Sequence, residues 1–306
     1  MTEKTLLAVE NLAISFETAH AQVPAVRGVS FSLAPGEVLG IVGESGSGKT
    51  VACRAILRLL ARNARILSGK IAFEDQDILA LNEGELARLR GGRIAMIFQN
   101  PSTHLDPLMT IGRQVGEALQ VHHGLTAAEA RRQAIGLLAD MRISEPERRI
   151  DAYAHQMSGG MRQRVMIAAA LACRPSLLLA DEPTTALDVT VQAQILDLLK
   201  RIQRERNLAI ILVSHDLGVI AQMCDRVVVM KDGLVVETGA VDDVIKRPRE
   251  DYTRRLIASQ PSLMPPAPPA THARSPLLRL DRLSVQFSQS QGLSSIITRK
   301  AAHTVR

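Results

Sequence analysis

Gly43-Glu44-Ser45-Gly46-Ser47-Gly48-Lys49-Thr50 fits the spacing G-x-x-x-x-G-K-[ST], and this stretch restricts the possible folds more than any other in the chain. Its glycines let the backbone turn tightly enough to aim successive N–H groups at a single phosphate chain. The spacing then puts the Lys49 ammonium on the outer phosphates and the Thr50 hydroxyl on Mg²⁺. The flanks agree. Val38-Leu39-Gly40-Ile41-Val42 is short, apolar and β-branched, as a buried parallel strand requires. Residues 51–60 suit a helix, whose N-terminal dipole favours the same anion. Strand, glycine-rich turn and helix in this order predict an α/β fold with a mostly parallel core sheet.

Around the loop the pattern is mixed. Leu7, Val9, Leu12, Ile14 and Phe16 nearly alternate, and Val29, Phe31 and Leu33 alternate strictly. They predict an N-terminal antiparallel β subdomain, with Pro35-Gly36 turning the chain into the loop strand. Residues 70–73 and 93–98 predict further strands. Asn82 with Glu85, and Thr126 with Glu129, match capping boxes that open helices. From about residue 111 to 172 the periodicity is helical, so a helical subdomain is expected over about residues 100–172, inserted between core strands. Residues 176–180 and 208–213 read as buried strands on either side of a helix faced by Val191, Ile195, Leu198, Leu199 and Ile202. Asp232-Gly233 joins two more strand patterns as a hairpin turn. A last helix is expected over residues 252–259.

Composition narrows the class. With 306 residues, 46% hydrophobic and 22% charged, the chain can bury a large core, and no apolar run reaches the length of a membrane span. The three cysteines (Cys53, Cys173 and Cys224) share no metal-ligand spacing, which suits a reducing compartment. A net charge of +6 invites a nucleic-acid reading, but the arginines are dispersed and aromatics for base stacking amount to 2%, so no nucleic-acid partner is expected.

The second chemical station is Leu177-Leu178-Leu179-Ala180-Asp181-Glu182, an apolar strand ending in two carboxylates. Beside a phosphate loop, the first carboxylate is expected to hold Mg²⁺ and the second to polarise the attacking water as general base. The third is Ser158-Gly159-Gly160, followed by Met161-Arg162-Gln163-Arg164. Here residues 6–259 resemble the ATP-binding subunits of ABC transporters, whose signature is written L-S-G-G-Q.

That resemblance implies the remaining stations. Phe16 would stack on adenine, Gln99 would act as the Q-loop glutamine near Mg²⁺ with Asp181 and Thr50, Ala186-Leu187-Asp188 would form the D-loop, and His215 would be the switch histidine. It also implies that the Ser158-Gly159-Gly160 turn, an anion site at a helix N-terminus, closes on the ATP held by a second cassette. Met157 and Met161 replace the usual leucine and glutamine. The run Ser-Gly-Gly-Met-Arg-Gln-Arg, together with Ile97-Phe98-Gln99-Asn100-Pro101 and Asp251-Tyr252-Thr253, resembles the branch that imports dipeptides, oligopeptides, nickel and glutathione. By that resemblance the partners are a second cassette, two membrane permease subunits and, indirectly, a solute-binding protein. The site of action would be the cytoplasmic face of the inner membrane, held peripherally. The alternative is a tandem-cassette ATPase acting on ribosomes or nucleic acid.

The last part of the chain reads differently. Six prolines fall within residues 260–276, which predicts an extended linker after a cassette over residues 1–259. Residues 277–287 then repeat the style of residues 6–16, and Thr304-Val305-Arg306 echoes Ala25-Val26-Arg27. Residues 277–306 are therefore expected to be the truncated start of a second cassette, with the parent gene either continuing beyond them into a second phosphate loop or showing a recent stop.

Overall fold

The loop strand alternates cleanly between two faces. Val38 and Val42 point into one apolar core and Leu39 and Ile41 into another, all essentially inaccessible to solvent. A strand buried on both faces must be central, and it is. The computed structural model describes residues 5–185 and 187–259, with positions 278, 281 and 284 beyond them. The chain divides into two units, Met1–Pro261 and Ser262–Arg306, and the strands and helices of the described residues all lie in the first. The linker expected over residues 260–276 and the second cassette start expected over residues 277–306 lie outside the described residues, those three positions excepted.

Strands β1 (Leu7–Glu17) and β2 (Gln22–Leu33) pair antiparallel before β3 (Val38–Val42) runs into the loop and helix α1 (Lys49–Ile56). The near-alternation of β1 breaks between Val9 and Leu12 because a bulge sits there. Asn11 adopts a φ of 47°, and its N–H donates to the Ser30 hydroxyl at 2.8 Å. Helix α1 is shorter than the helix-compatible run. Arg58 takes a left-handed φ of 51°, which returns the Leu59 N–H to the Arg54 carbonyl at 3.0 Å and ends the helix.

Strands β4 (Ala64–Phe73) and β5 (Gln76–Asp77) complete an antiparallel sheet of order β2-β1-β4-β5. Helix α2 (Glu83–Leu89) carries the Asn82–Glu85 capping box with bonds of 3.0 and 2.9 Å, and leads to β6 (Ile94–Ile97). Five helices follow: α3 (Pro101–His104), α4 (Ile111–His123), α5 (Ala127–Asp140), α6 (Pro146–Arg149) and α7 (Gly159–Ala170).

The chain then re-enters the core as β7 (Leu177–Asp181), α8 (Val189–Arg206), β8 (Ala209–Ser214) and α9 (Leu217–Met223). The hairpin β9 (Arg226–Lys231) and β10 (Leu234–Ala240) turns at Asp232-Gly233, both with positive φ. Helices α10 (Val241–Lys246) and α11 (Asp251–Ala258) close the unit. The core sheet has the order β10-β9-β3-β8-β7-β6, parallel except for the β9–β10 pair. This is an α/β phosphate-loop fold with an antiparallel N-terminal sheet and a helical insertion.

Candidate active site

In a parallel sheet all carboxyl ends face one way, so loops leaving them converge. Four adjacent strands do this here. The phosphate loop follows β3, His215 follows β8, Asp181 and Glu182 end β7, and Gln99 comes two residues after β6.

The loop is held from several sides. Gly43 has a φ of 151°, and a Cβ there would lie 2.1 Å from the Met230 carbonyl of β9. Gly48 has a φ of 97°, and a Cβ would lie 2.4 Å from the Ala25 carbonyl of β2. Both glycines let strand backbones pack directly on the loop. The Gly233 N–H of the hairpin turn donates to the Ser47 carbonyl at 3.1 Å, and the Glu44 N–H donates to the Tyr252 hydroxyl oxygen at 3.1 Å. Ser45 and Gly46 form the exposed tip, while Ser47 and Lys49 are buried.

Lys49 Nζ curls back onto its own loop, donating to the Gly43 and Glu44 carbonyls at 2.8 and 2.7 Å, with Ser47 Oγ at 3.4 Å. Burial pushes its ammonium below the usual lysine range, opposed by the charges of Glu182, Asp181 and Glu44. Thr50 Oγ1 donates to Asp181 Oδ1 at 2.8 Å. Asp181 is 1% exposed, and burial pushes its carboxyl up against the Thr50 hydrogen bond and the Arg54 guanidinium. Asp181 Oδ2 is buried with no hydrogen-bond partner, the Arg54 Nη2 being 3.5 Å away. A hard divalent cation at a phosphate site takes one or two carboxylates and leaves its other positions to phosphate and water. A buried carboxylate oxygen with no hydrogen bond, held only by a 3.5 Å ion pair to Arg54 and set beside a threonine hydroxyl, fits Mg²⁺.

Glu182 is the hub of the remaining contacts. It adopts a φ of 47° at the strand end, with its N–H bound to the Val213 carbonyl at 3.0 Å. Its Oε2 accepts from Gln99 Nε2 at 2.8 Å and from Thr185 Oγ1 at 2.9 Å, and its Oε1 lies 3.3 Å from His215 Nδ1. Thus Lys49, Thr50, Asp181, Glu182, Gln99 and His215 share one region.

Phe16 stands near the end of β1, half-buried against the core that also holds Leu39 and Ile41. The Ser158-Gly159-Gly160 turn lies elsewhere, at the start of α7, where Ser158 Oγ caps the helix by accepting the Met161 N–H at 3.4 Å. A Cβ on Gly160 would meet Val191 of α8 at 2.7 Å. Asp188 caps α8, accepting the Val191 N–H at 2.9 Å, and both Ser158 and Asp188 are exposed. Three participants carry no role in the sequence pattern: Arg54, Thr185 and Tyr252. Arg54 stands one helical turn after Thr50, a spacing that puts both on one face. Tyr252 has no such spacing, and the sequence marks it only as part of the Asp251-Tyr252-Thr253 run.

The family model described as ABC transporter matches residues 26–185. The chain is 49% identical over 289 residues to the peptidoglycan transport ATP-binding protein YejF of Agrobacterium fabrum, a match covering 94% of this chain and 53% of that one. It therefore spans about half the length of that relative. It is 50% identical over 259 residues to the oligopeptide transport ATP-binding protein OppD of Bacillus subtilis, covering 84% of this chain and 72% of that one. Among solved structures, the dimeric structure of an ATP-binding cassette in a post-hydrolysis state, bound to ADP and Pi, matches with a TM-score of 0.69 at 29% identity, covering 77% of this chain and 98% of that one.

Proposed function

The chain belongs to the ABC transporter family of ATP-binding proteins, and on that premise we propose that it hydrolyses ATP to power peptide import through separate membrane permeases. The carrying observation is the meeting of the phosphate loop with the end of β7: Thr50 Oγ1 lies 2.8 Å from Asp181 Oδ1, and Glu182 stands next in sequence.

In this reading the loop N–H groups of residues 43–50 bind the phosphate chain, and Lys49 leaves the Gly43 and Glu44 carbonyls for the outer phosphates. Phe16 packs on the adenine. Thr50, Asp181 and Gln99 hold Mg²⁺, which when bound neutralises charge on the phosphate oxygens. Glu182 accepts a proton from the attacking water as its oxygen bonds to the γ-phosphorus and the bond to the β-phosphate oxygen breaks, releasing ADP and phosphate. Gln99 and His215 orient that carboxylate from two sides.

Ser158, Gly159, Gly160 and Asp188 then serve the ATP of a second cassette. Two bound ATP molecules hold the cassettes closed, and hydrolysis releases them. Such a cycle requires ATP to favour the closed state by several kcal/mol, on the order of 5 for a near-complete switch. The partners are a second cassette, two permease subunits and, through these, a solute-binding protein. The chain acts peripherally at the cytoplasmic face of the membrane; no helix among its described residues is long and apolar enough to cross one.

Peptide as the solute is supported by the similarity to the oligopeptide transport ATP-binding protein of Bacillus subtilis. A tandem arrangement, with the second cassette in the same polypeptide, is supported by the recurrence of the residue 6–16 pattern at 277–287 and by the 94% and 53% shares of the Agrobacterium match. Reconstitution with peptide-import permease subunits tests the reading. Short peptides presented by the solute-binding protein should stimulate ATP hydrolysis severalfold and accumulate inside vesicles. Stimulation by ribosomes instead, with none by peptides, would overturn it.

A further inference from the structure

We propose that Tyr252 is a positioning residue for the phosphate loop, its hydroxyl fixing the Glu44 backbone on which Lys49 rests. The proposal rests on the nucleotide-binding reading of that loop and adds to it a residue 208 positions away.

The geometry holds Glu44 at both ends. Its N–H donates outward to Tyr252 Oη at 3.1 Å, and its carbonyl accepts the Lys49 ammonium from inside the loop at 2.7 Å. Tyr252 itself has little freedom. The residue is 7% exposed, and the Lys231 ammonium lies 5.3 Å from its ring centroid. The turn that delivers it is pinned by Glu237 of β10, a buried residue whose carboxylate accepts the Arg249 and Glu250 N–H groups at 2.9 and 3.2 Å. Glu237 pairs with Val229 of β9, the strand whose Met230 carbonyl abuts Gly43.

One set of contacts therefore runs from the start of α11, through the β9–β10 hairpin, to the first residues of the loop. A buried tyrosine hydroxyl needs a polar partner, and here that partner belongs to the loop. An anion site preset by fixed peptide groups binds better than one whose peptides must first be ordered.

Tyr252→Phe removes the hydroxyl and keeps the ring. In the nucleotide-free full chain, hydrogen exchange read by mass spectrometry should quicken in the peptide covering residues 43–50 and remain unchanged across the core strands. The Kd for MgATP should rise about 2- to 10-fold, the worth of one hydrogen bond, while kcat at saturating ATP stays within about twofold of the unmodified chain. Absence of either the exchange or the affinity shift overturns the proposal. So does exchange that quickens throughout the unit, or a fall in kcat with Kd unmoved, since either makes Tyr252 an ordinary packing residue. The exchange measurement contains no nucleotide. An unmodified chain that failed to bind MgATP would thus sink the nucleotide-binding reading of the loop, while the exchange result would still decide the positioning question separately.

Discussion

At Asp181, burial and chemistry pull in opposite directions. Desolvation raises its carboxyl pKa, Thr50 and Arg54 oppose that, and Oδ2 has no hydrogen bond. A carboxyl whose folded pKa is raised lowers stability once the pH exceeds its unfolded value near ~3.9, and the penalty disappears as the pH falls below it. The nucleotide-free fold thus carries an unfavourable buried charge at neutral pH that a bound cation would offset. Asp181→Asn should accordingly raise the melting temperature of the nucleotide-free protein at pH 7, by about 2–4 °C for each kcal/mol regained. The gain should shrink on acidification. The same substitution should abolish the Mg²⁺-dependent part of the stabilisation by ATP. Calorimetry with and without MgATP reads both effects, and a lower melting temperature with Mg²⁺ dependence intact would remove Asp181 from the metal site.

Single elements show how much a local sequence can dictate. Thr126 accepts the Glu129 N–H at 3.3 Å, and the Glu129 carboxylate accepts the Thr126 N–H at 2.9 Å, closing the box that opens α5. Thr126→Ala should cost about 1 kcal/mol in urea unfolding, within the range measured for such caps. A change of only a few tenths would mean that packing alone positions α5. Both capping boxes, the Asp232-Gly233 turn and the carboxylate-tipped strand β7 were legible because their determinants lie within a few residues of one another. The bulge at Asn11 was visible only as a broken alternation. The first half of β4 was missed because residues 65–70 are largely exposed on both faces, so no period-two pattern marks them. The strand order, the Gln99 bond to Glu182 and the Tyr252 bond to Glu44 join residues 83 to 208 positions apart. Contacts of that range are set by which strands neighbour each other, and a single sequence does not carry that information.

Across the whole unit, the phosphate loop and the Ser158 turn face separate tasks. One region gathers Lys49, Thr50, Asp181, Glu182, Gln99 and His215, while the Ser158-Gly159-Gly160 turn packs beside Val191 at the start of α8. There Val189 is 83% exposed and Asp188 is also open to solvent. In the proposed reading, this exposed turn beside an exposed apolar side chain is half of a composite site that a second cassette would complete. Substitution of Glu182 by glutamine keeps the side chain's size and its place beside the loop but removes the proposed general base. Mixed with MgATP, Glu182→Gln should elute as one species containing two cassettes, its mass read by light scattering and its nucleotide by extraction from the same peak. The prediction is ATP retained in that species with no ADP formed, while Lys49→Ala carries no nucleotide at all. ADP in the Glu182→Gln peak, or ATP held by a species with a single cassette, would contradict it.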